Sequence, residues 1–315
     1  MIPALVLTAG VATRLRPLSF VRAKAALPVA GQPLITRILR QLRAAGVTDA
    51  VLNLHHLPHT LTRVVGDGSD VDMRVRYSWE MPVLGSAGGP RQALSLVGAP
   101  TFLIVNGDTL TDVDIAALVA AHRGSGALVT MAVVRNAEPR KYGGVVVTAD
   151  GAVTGFAKRG SLDPSYHFVG LQVAEREVFA SLEAGTPCES VGAVYPALIG
   201  ARPGSVRAHV CTAAFLDIGT PADYLHTSLL LAGRQGGALP QGAHTRVDPT
   251  ARVERSILWD DVEVGAGSML RECIVADGAR VPGDTSWIGV TLRQATGELA
   301  PGERRVGELA VASIV

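Results

Sequence analysis

The chain has 315 residues, 48% of them hydrophobic and 18% charged, the profile of a soluble globular protein rather than a disordered one, and its length exceeds one average domain. With 29 basic against 28 acidic residues the formal net charge is +1, so no global field argues for nucleic acid or an anionic membrane. Cys188, Cys211 and Cys273 are far apart with no C-x-x-C pair, which argues against a disulfide framework or a zinc site and for a reducing cytoplasm; no apolar run reaches membrane-spanning length, and no leader is expected at the N-terminus.

The apolar run Ile2 to Leu7 reads as a buried first strand, and it feeds a small-residue turn and then a Pro-punctuated basic loop. Ala9, Gly10 and Ala12 keep bulky side chains away, so backbone amides can converge there on phosphate. Arg14 adds a planar two-donor fork and Lys24 a mobile cation, while Pro17 and Pro28 bracket the segment between them, so the two can serve opposite ends of one polyphosphate. Alanine fits such a turn only with φ below zero. The plainer alternative is a glycine turn with solvated cations. Pro33 to Ala45 has apolar residues at helical spacing, ended by Gly46, and Ala50 to Leu54 reads as a second strand, giving a βαβ rhythm. His55, His56 and His59 follow that strand with no acidic ligand beside them and read as loop residues rather than a metal site. Met73 to Tyr77 reads as a third strand, followed by a glycine-rich loop and a helix from about Arg91 to Leu96.

Thr101 to Val105 is β-rich and runs into N-G-D, which places Asp108 just beyond the carboxyl end of a central strand, the edge at which open α/β sheets bind ligands. Magnesium takes one or two carboxylates from a protein and the rest of its shell from phosphates and water, so a second acid is expected. Ala127 to Val134, Gly144 to Thr148, Ala152 to Phe156 and Phe168 to Val173 read as strands, and Ala222 to Leu231 as a helix. A glycine-rich linker follows. From about Thr245 apolar residues recur near every sixth position, the period of a parallel β-helix, here of about three to five coils whose faces need cover from the first domain or another subunit. His244 precedes the repeats, so no catalytic histidine is read into the coil.

The strings T-R-L-R-P-L-S and A-K-A-A-L-P-V-A-G-Q-P-L-I resemble the signature of the sugar-1-phosphate nucleotidylyltransferases, G-x-G-T-R-L-x-P-L-T followed by P-K-x-L-L-P-V-x-x-x-P-L-I. Ala9 and Ala12 stand where that family has glycine, and Ala23 where it has proline. L-G-S-A-G-G resembles its L-G-T-A-G-A segment, F-L-D-I-G-T-P-A-D-Y its W-x-D-I-G-T-P-E-D-Y, and Y-G-G-V-V-V with D-G-A-V-T-G-F its sugar-side strands. The resemblance covers about residues 3 to 233 through motifs in order, and about 245 to 292 through periodicity.

The resemblance implies an α/β fold: a Rossmann-like nucleotidyltransferase domain with a mixed central sheet over residues 1–235, then a short left-handed parallel β-helix and tail over 243–315. It implies Arg14 and Lys24 as the catalytic cations, and nucleotide binding by Leu7, Ala9, Gly10, Val11, Ala12, Thr13, Glu80, Gly85, Ser86, Asn106 and Gly107. Gly143, Lys158, Arg159, Phe168 and Gly170 would meet the sugar phosphate, and Asp108 with Asp217 would hold Mg2+. Lys158 stands in the place of a glutamate that in relatives meets sugar hydroxyls, Arg159 in that of a lysine, and Phe168 in that of an amide. The implied reaction joins an NTP to a sugar-1-phosphate with release of pyrophosphate, GTP with mannose-1-phosphate being the first choice and a uridylyltransferase for an N-acetylated hexose-1-phosphate the second. A non-catalytic nucleotide-sugar-binding subunit is the reading of another class; a dehydrogenase is disfavoured because the first turn lacks G-x-G-x-x-G. Cytoplasmic placement and a homo-oligomer formed through the β-helix complete the expectation, with deletion beyond Gly237 affecting assembly more than chemistry.

Overall fold

Ala4, Leu5 and Val6 are fully buried, and they open the strand Ala4–Leu7 at the centre of a nine-stranded sheet in the computed structural model, which describes residues 2–314. The chain divides into two compact units. One runs up to Gly10 and adds Ile35–Pro58 and Val65–Leu216; the other consists of Val11–Leu34, His59–Val64 and everything from Asp217.

In the first unit, Ala4–Leu7 pairs in parallel with Asp49–Leu54 on one side and Thr101–Asn106 on the other, and Asp49–Leu54 pairs in parallel with Arg74–Trp79. Tyr166–Glu175 then joins antiparallel to both Thr101–Asn106 and Val129–Arg135, so the sheet is mixed as expected. Val129–Arg135 is buried on both faces except at its last residue, and with Phe102, Phe179 and Tyr195 it forms the main core. The antiparallel pair Gly144–Val147 and Val153–Ala157 extends the sheet beyond Tyr166–Glu175.

Two local departures have physical causes. The helix expected from Arg91 begins at Gly85 and runs to Val97. Its first turns are poor in helix propensity because tertiary packing needs small residues there: a Cβ on Gly88 would lie 2.6 Å from the Thr186 carbonyl oxygen, and one on Gly89 would lie 2.6 Å from Glu80 Oε1. Helices at Pro58–Val65, Ile115–Ser125 and Tyr195–Ala201 were not legible, and His59 lies in the first of them. The second of these is capped by Asp114, which accepts from Ala117 N at 2.9 Å.

In the second unit the repeats build a β-helix of three coils, seen as two three-stranded parallel sheets and a five-stranded one whose first three strands are stacked in parallel. Hydrogen bonds such as Ala243 N to Asp260 Oδ1 and Cys273 N to Ser256 Oγ step 17 residues, which is the length of one coil. The corners follow the same step. His244, Asp261 and Gly278 take positive φ in one column, and Arg255, Glu272 and Gly289 in another. A left-handed residue is the sharpest way to turn the chain, and the polar residues that stand in for glycine there have side chains free to reach neighbouring coils, as Arg255 does to Glu272 at 3.0 Å.

The tail extends the third of these sheets. Leu309–Ser313 pairs antiparallel with Val290–Gln294, and Arg304–Val306 pairs with Leu309–Ser313. The loop between is folded around Arg293, which donates to Glu303 at 2.8 and 2.6 Å and to the carbonyls of Gln294, Thr296 and Glu298. The side chains of Arg293 and Glu303 are 5% and 0% exposed, so removing one partner strands the other. Glu303→Ala is expected to cost about 3–5 kcal/mol in denaturant unfolding; a loss under about 1 kcal/mol would show that the tail does not depend on this pair.

Candidate active site

The first unit assembles the ends of its parallel strands around one buried amide. Asn53 closes the second strand, and its Oδ1 accepts from Thr8 N at 2.5 Å and Ala9 N at 3.3 Å, fixing the chain as it leaves Ala4–Leu7 towards Gly10. Thr8 Oγ1 donates in turn to the Asn53 carbonyl. Asn53 Nδ2 donates to Glu80 Oε1 at 2.7 Å, and Glu80 Oε2 accepts from Leu84 N at 2.8 Å, so the carboxylate expected to touch nucleotide is engaged inside and holds the turn that precedes Gly85. Asn53 itself was missed. Its only trace in the sequence is one amide in an otherwise apolar strand.

Gly107 N donates to the Leu7 carbonyl at 2.9 Å, and a Cβ at Gly107 would sit 2.6 Å from that oxygen, so only glycine lets the N-G-D turn lie against the first strand. Asp108 follows, half-buried, with Thr109 Oγ1 donating to its Oδ1 at 3.1 Å. Gly170 has φ 81°, and a Cβ there would lie 2.9 Å from Asn106 Cβ, which brings Asn106 and Gly170 together. Ser86 is committed to the segment Cys188–Ser190: it donates to Glu189 at 2.6 Å and accepts from Ser190 N and Oγ at 2.8 and 2.9 Å. Ala87 N and Gly88 N donate to the Cys188 carbonyl, so those two helix-start amides have a protein partner.

On the sugar side, His167 packs at a tilt against both Tyr142 and Phe215, at ring-centroid distances of 4.2 and 4.6 Å, those two rings meet edge-on at 5.5 Å, and Lys141 Nζ lies 5.2 Å from the Tyr142 ring. Gly143 is next to Tyr142 and Phe168 next to His167, so this aromatic cluster stands among the residues expected to meet the sugar phosphate. Lys158 and Arg159 are exposed in the turn after Val153–Ala157.

The second unit carries the remaining candidates. Val11 leads into Ala12, whose φ is 51°, left-handed, against the expectation of a negative angle; Ala12 O then accepts from Leu15 N at 3.0 Å and starts the turn Thr13–Leu15. The constraint that won is geometric, since the turn needs that angle whichever residue supplies it. Lys24 opens another such turn, Lys24–Ala26, and is half-buried. Arg14, Asp217 and Asp223 converge: a Cβ on Gly219 would lie 3.0 Å from Asp217 Oδ2, 3.1 Å from Asp223 Oδ2 and 3.5 Å from Arg14 Nη1. Gly219 is the space that lets a guanidinium and two carboxylates meet. Thr220, not Asp217, caps the helix Pro221–Arg234, accepting from Asp223 N at 3.1 Å, which leaves the Asp217 carboxylate to face this cluster. Asp223 was not singled out in the sequence.

A family model described as Nucleotidyl transferase matches residues 3–233, and one described as GlmU-like, C-terminal hexapeptide matches residues 241–298. The chain belongs to the nucleotidyl transferase family and is a sugar-1-phosphate nucleotidylyltransferase. It is 29% identical over 291 residues to a mannose-1-phosphate guanylyltransferase of Mycobacterium tuberculosis, covering 89% of this chain and 81% of that one. It is 35% identical over 225 residues to an N-acetylmuramate alpha-1-phosphate uridylyltransferase of Neisseria meningitidis, covering 69% of this chain and 93% of that one. The fold is shared with HddC from Yersinia pseudotuberculosis, at TM-score 0.65 and 21% identity over 73% of this chain and 100% of that one.

Burial pushes the His167 imidazole down to about 4 from 6.5, with its hydrogen bond to the Gly143 backbone opposing the shift and the Lys141 charge adding to it. Between those pH values the unfolded chain takes up a proton that the folded site refuses. Stability is therefore expected to fall as pH drops from about 6.5 towards 4, and His167→Gln to flatten that slope in unfolding curves; an unchanged slope would show that His167 titrates normally. Because Ala12 is left-handed, Ala12→Gly is expected to leave stability unchanged or raise it by up to about 1 kcal/mol. A loss above about 1 kcal/mol would contradict that backbone angle.

Proposed function

We propose that the chain joins GTP to mannose-1-phosphate, forming GDP-mannose and pyrophosphate. What supports the choice is extent: the match to the mannose-1-phosphate guanylyltransferase covers 89% of this chain, more than residues 3–233 can supply, against 69% for the N-acetylmuramate uridylyltransferase. The higher identity of that second relative favours, as the alternative, UTP with an N-acetylated hexose-1-phosphate.

In this reading a phosphate oxygen of the sugar phosphate attacks the α-phosphorus in line, the bond to the bridging oxygen breaks, and pyrophosphate leaves with the electron pair. Lys24 neutralises the α-phosphate and the incoming phosphate, and Arg14, steadied near Asp217 and Asp223, holds the departing pyrophosphate. Gly10, Val11, Ala12 and Thr13 supply backbone to the phosphates, while Leu7 and Ala9, tied to Gly107 and Asn53, border the nucleotide with Gly85, Ser86, Asn106 and Gly107. Glu80 acts at one remove, through Asn53 and Leu84. Arg159 and the backbone at Gly143 and Gly170 seat the sugar phosphate, with Phe168 and Lys158 at its edge.

Asp108 and Asp217 offer the hard oxygen donors that suit magnesium, and no group of three or more His, Cys, Asp or Glu able to hold a metal occurs among the described residues. When bound, the ion would draw charge from the phosphate oxygens. We place the enzyme in the cytoplasm on the strength of its three free cysteines, and as a homo-oligomer through the β-helix; no helix of the described residues is long and apolar enough to cross a membrane.

A pyrophosphate-release screen of nucleoside triphosphates against sugar-1-phosphates tests the reading: GTP with mannose-1-phosphate is expected to lead, and UTP with an N-acetylated hexose-1-phosphate leading instead would select the alternative. Lys24→Ala is expected to lower kcat by on the order of a hundredfold with little change in Tm. Asp108→Asn and Asp217→Asn should each abolish magnesium-dependent turnover; full activity of both variants with a chelator present would make these carboxylates structural.

A further inference from the structure

The loop that carries Arg14 and Lys24 has little structure of its own. Between Val11 and Leu27 it consists of three single turns, Thr13–Leu15, Leu18–Phe20 and Lys24–Ala26. What holds it lies in the β-helix. Arg22, two residues before Lys24, donates through Nε to Asp277 Oδ2 at 2.7 Å, and through Nη2 to Asp277 Oδ1 and Asp260 Oδ2, both at 2.6 Å. Its side chain is 13% exposed, and its guanidinium lies 5.3 Å from the ring of Trp259, which is fully buried.

Asp260 and Asp277 are the same position in successive coils, and they are linked by Asp260 N donating to Asp277 Oδ1 at 3.1 Å. A second tie reaches the far end of the loop: Trp259 Nε1 donates to the Tyr224 hydroxyl at 2.9 Å, which donates to the Pro28 carbonyl at 2.7 Å. Burial pushes the Tyr224 phenol well above its ordinary value, so it stays a neutral donor. The residue after Arg22, Ala23, donates through its amide to Thr60 Oγ1 at 3.1 Å.

We infer that Arg22 is a positioning residue for the nucleotidyl transfer and that the β-helix carboxylates Asp260 and Asp277 set the placement of Lys24. This rests on the reading of Lys24 as the cation that neutralises the α-phosphate. It alters the expectation that deletion of the coil affects assembly more than chemistry, because one planar fork held by two coils ties loop and coil together. The arrangement favours arginine over lysine, since a single ammonium cannot span three carboxylate oxygens in one plane.

The test is steady-state kinetics on the full-length chain, at a temperature where circular dichroism shows each variant folded. Arg22→Gln is expected to lower kcat at least tenfold with the KM for NTP within about threefold, and Arg22→Lys to restore only part of it. Asp277→Ala should cost more than Asp260→Ala, because Asp277 accepts two of the three bonds. Both carboxylates are partly exposed, so these two variants report even if Arg22→Gln fails to fold. Wild-type kcat in folded Asp277→Ala, or full activity of Arg22→Lys, would overturn the inference. Absence of pyrophosphate release by the wild-type chain would instead remove the functional reading beneath it.

Discussion

A single arginine between two coils is the constraint on which the catalytic loop depends. Short turns of this kind carry only two or three backbone hydrogen bonds each and are poor at holding themselves, so contacts from outside help to fix their shape. Hydrogen bonds to charged groups contribute roughly 1.5–3 kcal/mol each when sheltered, and less where a carboxylate faces water as Asp260 does. Three such bonds on one rigid fork, over a buried indole, add to what the loop's own turns supply. The chemistry asks for this rigidity, because a cation that neutralises developing charge is worth most when it need not reorganise.

The other half of the machinery is positioned by a different device. Asn53 ties the exit of the first strand to the end of the second, Glu80 ties Asn53 to the turn at Leu84, and Gly107 lets the N-G-D turn lie on Leu7. In this unit the sheet supplies the rigidity and short polar side chains transmit it to the strand ends. In the other, Gly219 opens the space in which Arg14 meets Asp217 and Asp223. Both devices hold from outside the backbone that carries the groups proposed to face phosphate, one by sheet packing and one by the coil.

Much of this was legible in the sequence. The strands, the N-G-D turn and the helix after Thr220 followed from periodicity and turn chemistry, and the coil from its recurring apolar residues. Three hexapeptides would make a coil of about 18 residues. The actual coil of 17 explains why the apolar residues recur only near every sixth position rather than at it. The helix at Gly85 was hidden because its small residues answer to Glu80, Thr186 and Cys188 rather than to helix propensity. Arg22 was hidden for a related reason: its partners are 238 and 255 residues away, and no local pattern marks such a pair. Ala12 shows the limit of residue preference as a guide, since the turn imposed a left-handed angle on a residue that disfavours it.

The most direct measurement is amide hydrogen exchange across residues 13–27 in the wild-type chain and in a variant with both Asp260→Asn and Asp277→Asn. If the coil holds the loop, exchange will rise in residues 13–27 while the amides of Ala4–Leu7 and Thr101–Asn106 keep their protection. Unchanged protection of 13–27 in that variant would show that the loop holds its shape without the coil.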